Sequence, residues 1–133
     1  MQSINPSYWG NCGWKFMHYI TLSYPKSPTI KDKTDITNFF NNVGNVLPCA
    51  LCRINYYNHL KKYPLDDKVI ENRENLVKWL VNIHNEVNMM HDKTIYTVDK
   101  LYKEYMTENT NCYKYIIFVI FVVLILIILW RKL

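Results

Sequence analysis

Two cysteines separated by two residues, in Pro48-Cys49-Ala50-Leu51-Cys52, are the residues of this chain best suited to covalent chemistry. The reactive form of cysteine is the thiolate. A helix N-terminus, with its unpaired N–H groups and macrodipole, favours that form and speeds disulfide exchange. Pro48 supports such a placement, because its fixed φ suits the first helical position and it pushes Leu47 out of the α region. One helix is therefore expected to stop near Leu47 and the next to begin at Pro48. The same two sulfurs could also be half of a zinc site or two inert buried thiols, and the pair alone does not choose.

Two other groups of residues carry polar or aromatic chemistry at helical spacing. Gly10, Trp14 and His18 recur every four residues, which places them on one helix face, and the small Gly10 lets a flat group approach the backbone. His84, Asn88 and His91 share a face at i, i+4 and i+7, beside the apolar stripe Leu76, Leu80, Ile83 and Val87. A polar side chain buried there without a partner costs roughly 1–3 kcal/mol, so a polar ligand held between helices would stabilise the arrangement. Zinc suits these residues poorly. Six residues separate His84 from His91 where finger-type sites use three to five, and there is no second C-x-x-C.

The elements that must position these groups read as helices throughout. Only three glycines occur in 133 residues, and apolar side chains recur at three- and four-residue spacings. Asn5-Pro6 opens a first helix that runs to about Ser23, before Pro25. A second runs from Thr29–Asp35 to Val46, and a third from Pro48 to Tyr63, stopped by Pro64. A fourth extends from Arg73 to about His91, and a short fifth from Val98 to Thr107. Glu108 to Asn111 then form a hydrophilic link.

From Tyr115 to Trp130 the chain has no charge over 16 residues, a run slightly under the roughly 20 that span a bilayer core. Tyr113, Tyr115 and Trp130 lie where an aromatic belt would, and Lys114, Arg131 and Lys132 can snorkel from either end. We read this stretch as a transmembrane helix. Residues 1–111 hold 13 Lys+Arg against 11 Asp+Glu, and with no basic run or stripe a nucleic-acid partner is not expected. No secretory leader is legible at Met1–Pro6. A C-terminal anchor places the folded part on the cytosolic side, where reducing conditions make paired cysteines catalytic or metal-binding more often than structural.

With Gly10, Trp14 and His18, the Pro48-Cys49-x-x-Cys52 turn and His84-Asn85-Glu86-Val87-Asn88 in that order, residues 5–106 resemble the Erv/ALR family of FAD-linked sulfhydryl oxidases. The membrane tail and lean core are similar to the versions carried by large DNA viruses of the cytoplasm. The resemblance implies a four-helix bundle with a short fifth helix, FAD at the mouth of the bundle, and a homodimer. It divides the chain into an oxidase domain at 1–108, a juxtamembrane link at 109–114, a membrane helix at 115–130 and a basic tail at 131–133. It makes Cys52 the flavin-proximal cysteine and Cys49 the one that faces outward and is attacked by incoming thiols. Gly10, Trp14, His18, His84, Asn85, Val87 and Asn88 match positions around the cofactor, Lys93 a basic residue near its phosphates, and Tyr105 a position by the adenine.

The chain departs from that pattern in three places. Asn11 stands where a basic residue is usual, a contact Lys15 could replace. Val81 occupies the place of a cysteine of a structural disulfide, and Cys12 and Cys112 form no second C-x-x-C, leaving open a single shuttle or an inter-chain bridge. The expected activity passes electrons from a protein dithiol or a thioredoxin-like partner through Cys49 and Cys52 to FAD and then to dioxygen, giving hydrogen peroxide. The competing expectation is a tail-anchored, non-enzymatic scaffold whose cysteines serve a structural zinc or an inter-chain disulfide.

Overall fold

The computed structural model describes residues 2–130; in its last helix the side chains of residues 106–116 and 126–130 lie outside the description, and with them Cys112. The helices are α1 (Pro6–Ser23), α2 (Ile30–Val46), α3 (Ala50–Lys62), α4 (Arg73–Met90) and α5 (Val98–Trp130), with a 3-10 turn at Val69–Glu71. The chain divides into two units, Met1–Val98 and Asp99–Leu133.

Local sequence explains each boundary in the first unit. The Asn5 side chain accepts from Ser7 N–H ahead of Pro6 at the first position of α1. Thr29 and Asp32 form a reciprocal capping box at the start of α2. The Asn72 side chain accepts from Asn75 N–H to open α4. The third helix begins later than its sequence predicts. Cys49 is the cap rather than a helical residue, extended at φ −155°, with its sulfur accepting from Cys52 N–H at 3.1 Å. Pro48 therefore sits outside the helix, and only Cys52 of the pair lies within it.

In this unit α1 packs on α4, α2 on α3 and α3 on α4, the bundle arrangement expected for amphipathic helices with one apolar stripe each. Phe40, Leu76, Leu80 and Ile83 are fully buried at its centre. Phe40 meets Trp79 edge to face with ring centroids 5.0 Å apart, and Trp79 Nε1 donates to Tyr63 O at 2.9 Å, so the large indole is both packed and satisfied. Gly44 lets α2 approach α3 closely: a Cβ there would meet the Tyr56 ring at 2.6 Å. Tyr56 lies one turn beyond Cys52 and donates to Phe40 O at 2.7 Å, so this crossing fixes the helix that carries the cysteines.

The second unit is α5 from Asp99 onward. The expected break at Glu108–Asn111 does not occur, and the helix continues to Trp130. Ile117 to Ile125 are all exposed apolar residues. Among the described residues no helix is long and apolar enough to cross a membrane. Much of the predicted span at 115–130 has side chains outside the described set, as do Arg131 and Lys132.

Candidate active site at the start of α3

Cys49 and Cys52 are joined as a disulfide across the first turn of α3. Neither sulfur is then a thiolate available to zinc. Because the Cys49 sulfur also accepts from Cys52 N–H, the pair sits in the field of the helix N-terminus, which stabilises whichever sulfur becomes anionic on reduction. Arg53 Nη1 donates to Leu47 O at 2.5 Å and ties the turn to the end of α2.

Cys52 forms part of the wall of a cavity of about 110 Å³, several times what one water requires. Gly10, Trp14, Met17, Ile83 and Val87 supply apolar wall from α1 and α4. On α3 the wall is Cys52, Asn55, Tyr56 and His59, the i, i+3, i+4, i+7 face of one helix. These residues suit a flat, largely apolar group with a polar edge. Nothing lies within 4 Å of where a Gly10 Cβ would stand, so that backbone is open to close approach. His59 is buried with its Nε2 unpartnered, a polar atom that a ring heteroatom could satisfy, and burial pushes its pKa down.

Behind Trp14 stands a stack of rings. Trp14 lies parallel to His84 with centroids 4.1 Å apart, and Tyr96 stacks on the far side of the histidines, 5.7 Å from His84 and 6.4 Å from His18. His18 Nε2 and His84 Nδ1 are hydrogen-bonded at 2.9 Å, which requires one of the two facing nitrogens to carry a proton and the other to be bare. Both rings are held neutral. Burial, and then its neighbour His84, lower the His18 pKa to about 3; burial, and then the nearby Lys93 cation, lower that of His84 to about 4.

The residues singled out in the sequence are thus placed in three ways. Gly10, Trp14, Cys52 and Val87 meet at the cavity. His18 and His84 back it, with Lys93 close enough to act on His84. Asn85 is occupied otherwise: its side chain accepts from Tyr96 N–H at 2.7 Å and donates to Tyr96 O at 2.8 Å, clamping the segment after α4, and buried Asn88 donates to Asn85 Oδ1 at 3.5 Å. Tyr105 is carried by α5 in the second unit. Asn55, His59 and Tyr96 were missed. The first two were legible as the continuation of the Cys52 face along α3, whereas Tyr96 lies in a loop with no periodicity to place it.

One expectation fails here. Cys49, expected to face outward, is 7% exposed, while Cys52 is half-buried. The segment before α1 runs beside Cys49. Ile4 N–H donates to Pro48 O at 2.7 Å and Ala50 N–H donates to Ser3 Oγ at 3.4 Å, so Ser3-Ile4 passes alongside Cys49.

The family model for Erv1 / Alr proteins matches residues 11–107. The chain belongs to the Erv1/Alr family. It is 51% identical over 94 residues to a probable FAD-linked sulfhydryl oxidase of Acanthamoeba polyphaga mimivirus, covering 71% of this chain and 66% of that protein, just under two thirds of its length. It is 30% identical over 88 residues to an FAD-linked sulfhydryl oxidase of African swine fever virus, covering 66% of this chain and 71% of that one. The crystal structure of the yeast Erv1 core superposes with a TM-score of 0.69 at 24% identity, covering 79% of this chain and 86% of the other, which shows a shared all-α fold.

Proposed function

We propose that the chain is an FAD-dependent sulfhydryl oxidase that forms disulfide bonds in protein substrates within a viral cytoplasmic pathway. The observation that carries this is a disulfide capping α3 with one sulfur, Cys52, in the wall of a cavity floored by Gly10 and flanked by Trp14. A substrate thiolate attacks Cys49 Sγ; the S–S bond breaks and its electron pair leaves on Cys52. The second substrate thiolate attacks the substrate sulfur of the mixed disulfide, forming the product disulfide and releasing Cys49 as thiolate. Bound in the cavity beside Cys52, FAD would supply the two-electron acceptor for the thiolate pair and the route by which two electrons and two protons reach dioxygen as hydrogen peroxide.

The chain's own residues supply the rest. The N-terminus of α3 stabilises the thiolates until their electrons move inward. Trp14, Met17, Ile83 and Val87 keep water from the sulfur that faces the cavity, and neutral His18 and His84 hold Trp14 in place without setting a cation behind it. His84, Asn88 and Lys93 would contact the remainder of the cofactor, Lys93 as the cation for its phosphates. The full chain purified in detergent should be yellow. Cys52→Ser should lower dithiothreitol-dependent oxygen consumption by roughly a thousandfold or more while the flavin stays bound; a colourless chain, or full activity in the variant, defeats the reading.

The chain is further proposed to form a homodimer and to be anchored in a membrane. Tyr8, Phe16 and Tyr19 expose an apolar face of α1 on which the free thiol Cys12 also lies, a face suited to a second copy. The uncharged run 115–130, with exposed apolar side chains at 117–125, supports the anchor. Among the described residues the disulfide of the redox pair is alone, and Val81 is buried apolar core, in keeping with an oxidase domain on the cytosolic side.

A further inference from the structure

The oxidase reading requires substrate sulfur to reach Cys49, and Cys49 is covered. The cover is thin. Residues 2–5 are all exposed, and Ile4 keeps half of its surface in solvent. Two hydrogen bonds join this segment to the turn, one on either side of Cys49: Ile4 N–H to Pro48 O and Ala50 N–H to Ser3 Oγ. Because the earlier residue pairs with the later one, the two segments run antiparallel. A third bond, from Trp9 Nε1 to Ile4 O at 3.3 Å, returns the segment to α1. Around the same turn Val46, Leu51 and Ile54 expose large apolar side chains, each more than half in solvent, that Ser3-Ile4 leaves uncovered.

We propose that the backbone edge Pro48–Ala50 is the docking edge for an extended, cysteine-bearing segment of a protein dithiol substrate, and that Ser3-Ile4 occupies it between turnovers. The inference rests on the oxidase reading and names how its substrate is held. An extended chain is the occupant because one is already seated there, through one main-chain bond from Ile4 N–H to Pro48 O and a second bond from Ala50 N–H to the Ser3 hydroxyl. The edge offers its carbonyl and amide to any extended segment that can pair with them. A substrate segment that replaces Ser3-Ile4 brings its own cysteine opposite Cys49, and its flanking apolar side chains cover Val46, Leu51 and Ile54. Small dithiols need only the gap left when the segment lifts. Extended substrates also use the edge.

The test uses the full chain in detergent and two variants. Deletion of Gln2–Ile4 leaves Asn5 to cap α1. Ala50→Pro removes the N–H that Ser3 uses, at the first position of α3, where proline is well tolerated and where the extended backbone of Cys49 suits the residue before it. After reduction, iodoacetamide labelling of Cys49 followed by mass spectrometry should be about tenfold faster in the deletion variant, the scale of two modest hydrogen bonds. Its kcat/KM for a ten-residue peptide with two cysteines should rise by a similar factor. Ala50→Pro should label faster as well but gain less with the peptide than with dithiothreitol, because the edge itself is lost.

Labelling within twofold of the parent in both variants would overturn the proposal, and so would a fall in peptide turnover on deletion, which would make Ser3-Ile4 part of the substrate platform. Equal gains by the two variants with the peptide would show that the edge docks nothing. A labelling rate that depends on protein concentration would make a second copy the occupant and overturn it too. Labelling needs no flavin. A parent chain that binds none and consumes no oxygen with thiols therefore defeats the oxidase reading, while the accessibility of Cys49 is read separately.

Discussion

The α1/α4 side of the cavity and the α3 side are built to opposite specifications. On the first, Trp14, His84, His18 and Tyr96 are stacked, the two histidines are hydrogen-bonded to each other, and Asn85 clamps the Tyr96 backbone. On the second, a disulfide at a helix end is overlain by a surface segment held through a few hydrogen bonds. A site that must keep one ligand through many turnovers is served by the former, and one that must admit and release chains by the latter. Local stability follows the count of buried contacts, so the two sides should respond to perturbation with different sizes of effect.

The sharpest way to break the contrast is Trp14→Ala. It removes the ring that joins cavity to histidines and is expected to cost about 3 kcal/mol in chemical unfolding, with loss of bound flavin. Next is Asn85→Ala, which strands both backbone groups of Tyr96. A cost of roughly 2 kcal/mol is expected, together with faster hydrogen exchange at Tyr96. Acidification should act on the same side. His18 and His84 have folded pKa values lowered to about 3 and about 4, so the unfolded chain binds more protons below the usual histidine value of 6.5. Their contribution is complete above pH 6.5 and is lost as pH falls toward 4, by up to about 1.4 kcal/mol per pH unit for each ring. Melts between pH 7 and 5 should show that slope, and His84→Gln should flatten it. The smallest effect belongs to the α3 side: Ile4→Ala should change global stability by about 0.5 kcal/mol or less, because little is buried there.

The same contrast governs what could be read from the chain beforehand. Helix existence, the stripe Leu76-Leu80-Ile83 and the shared face of Gly10 and Trp14 followed from 3.6-residue periodicity and from proline and capping residues, while the place of Cys52 beside them came from the family resemblance. Periodicity, prolines and caps are local signals. The capping role of Cys49 shifted the start of α3 by two residues because a sulfur can do what Ser or Asp does at that position, a use that composition does not advertise. Asn85 was assigned to the cofactor because it matches a position of the family motif; in this chain its side chain bonds Tyr96, 11 residues away in a loop without pattern. The segment beside Cys49 was illegible for the same reason, since it is joined to the turn by one backbone contact, Ile4 to Pro48, and one hydroxyl contact spanning 47 residues, that no periodicity encodes. Fusion of the fifth helix with the apolar run was missed because the polar residues 108–111 read as a link, although none of them is a glycine or proline that would force a break.

Because the amide of Cys52 donates to Cys49 Sγ, the cap of α3 is also a readout of electron load. The acceptor is a disulfide sulfur when the pair is oxidised and a free cysteine sulfur when it is reduced, a change of acceptor that alters how strongly the amide proton is drawn. The chemical shift of that single proton therefore follows the oxidation state of the pair, so the enzyme can be watched loading and unloading by NMR without a dye, a substrate label or the flavin's own colour.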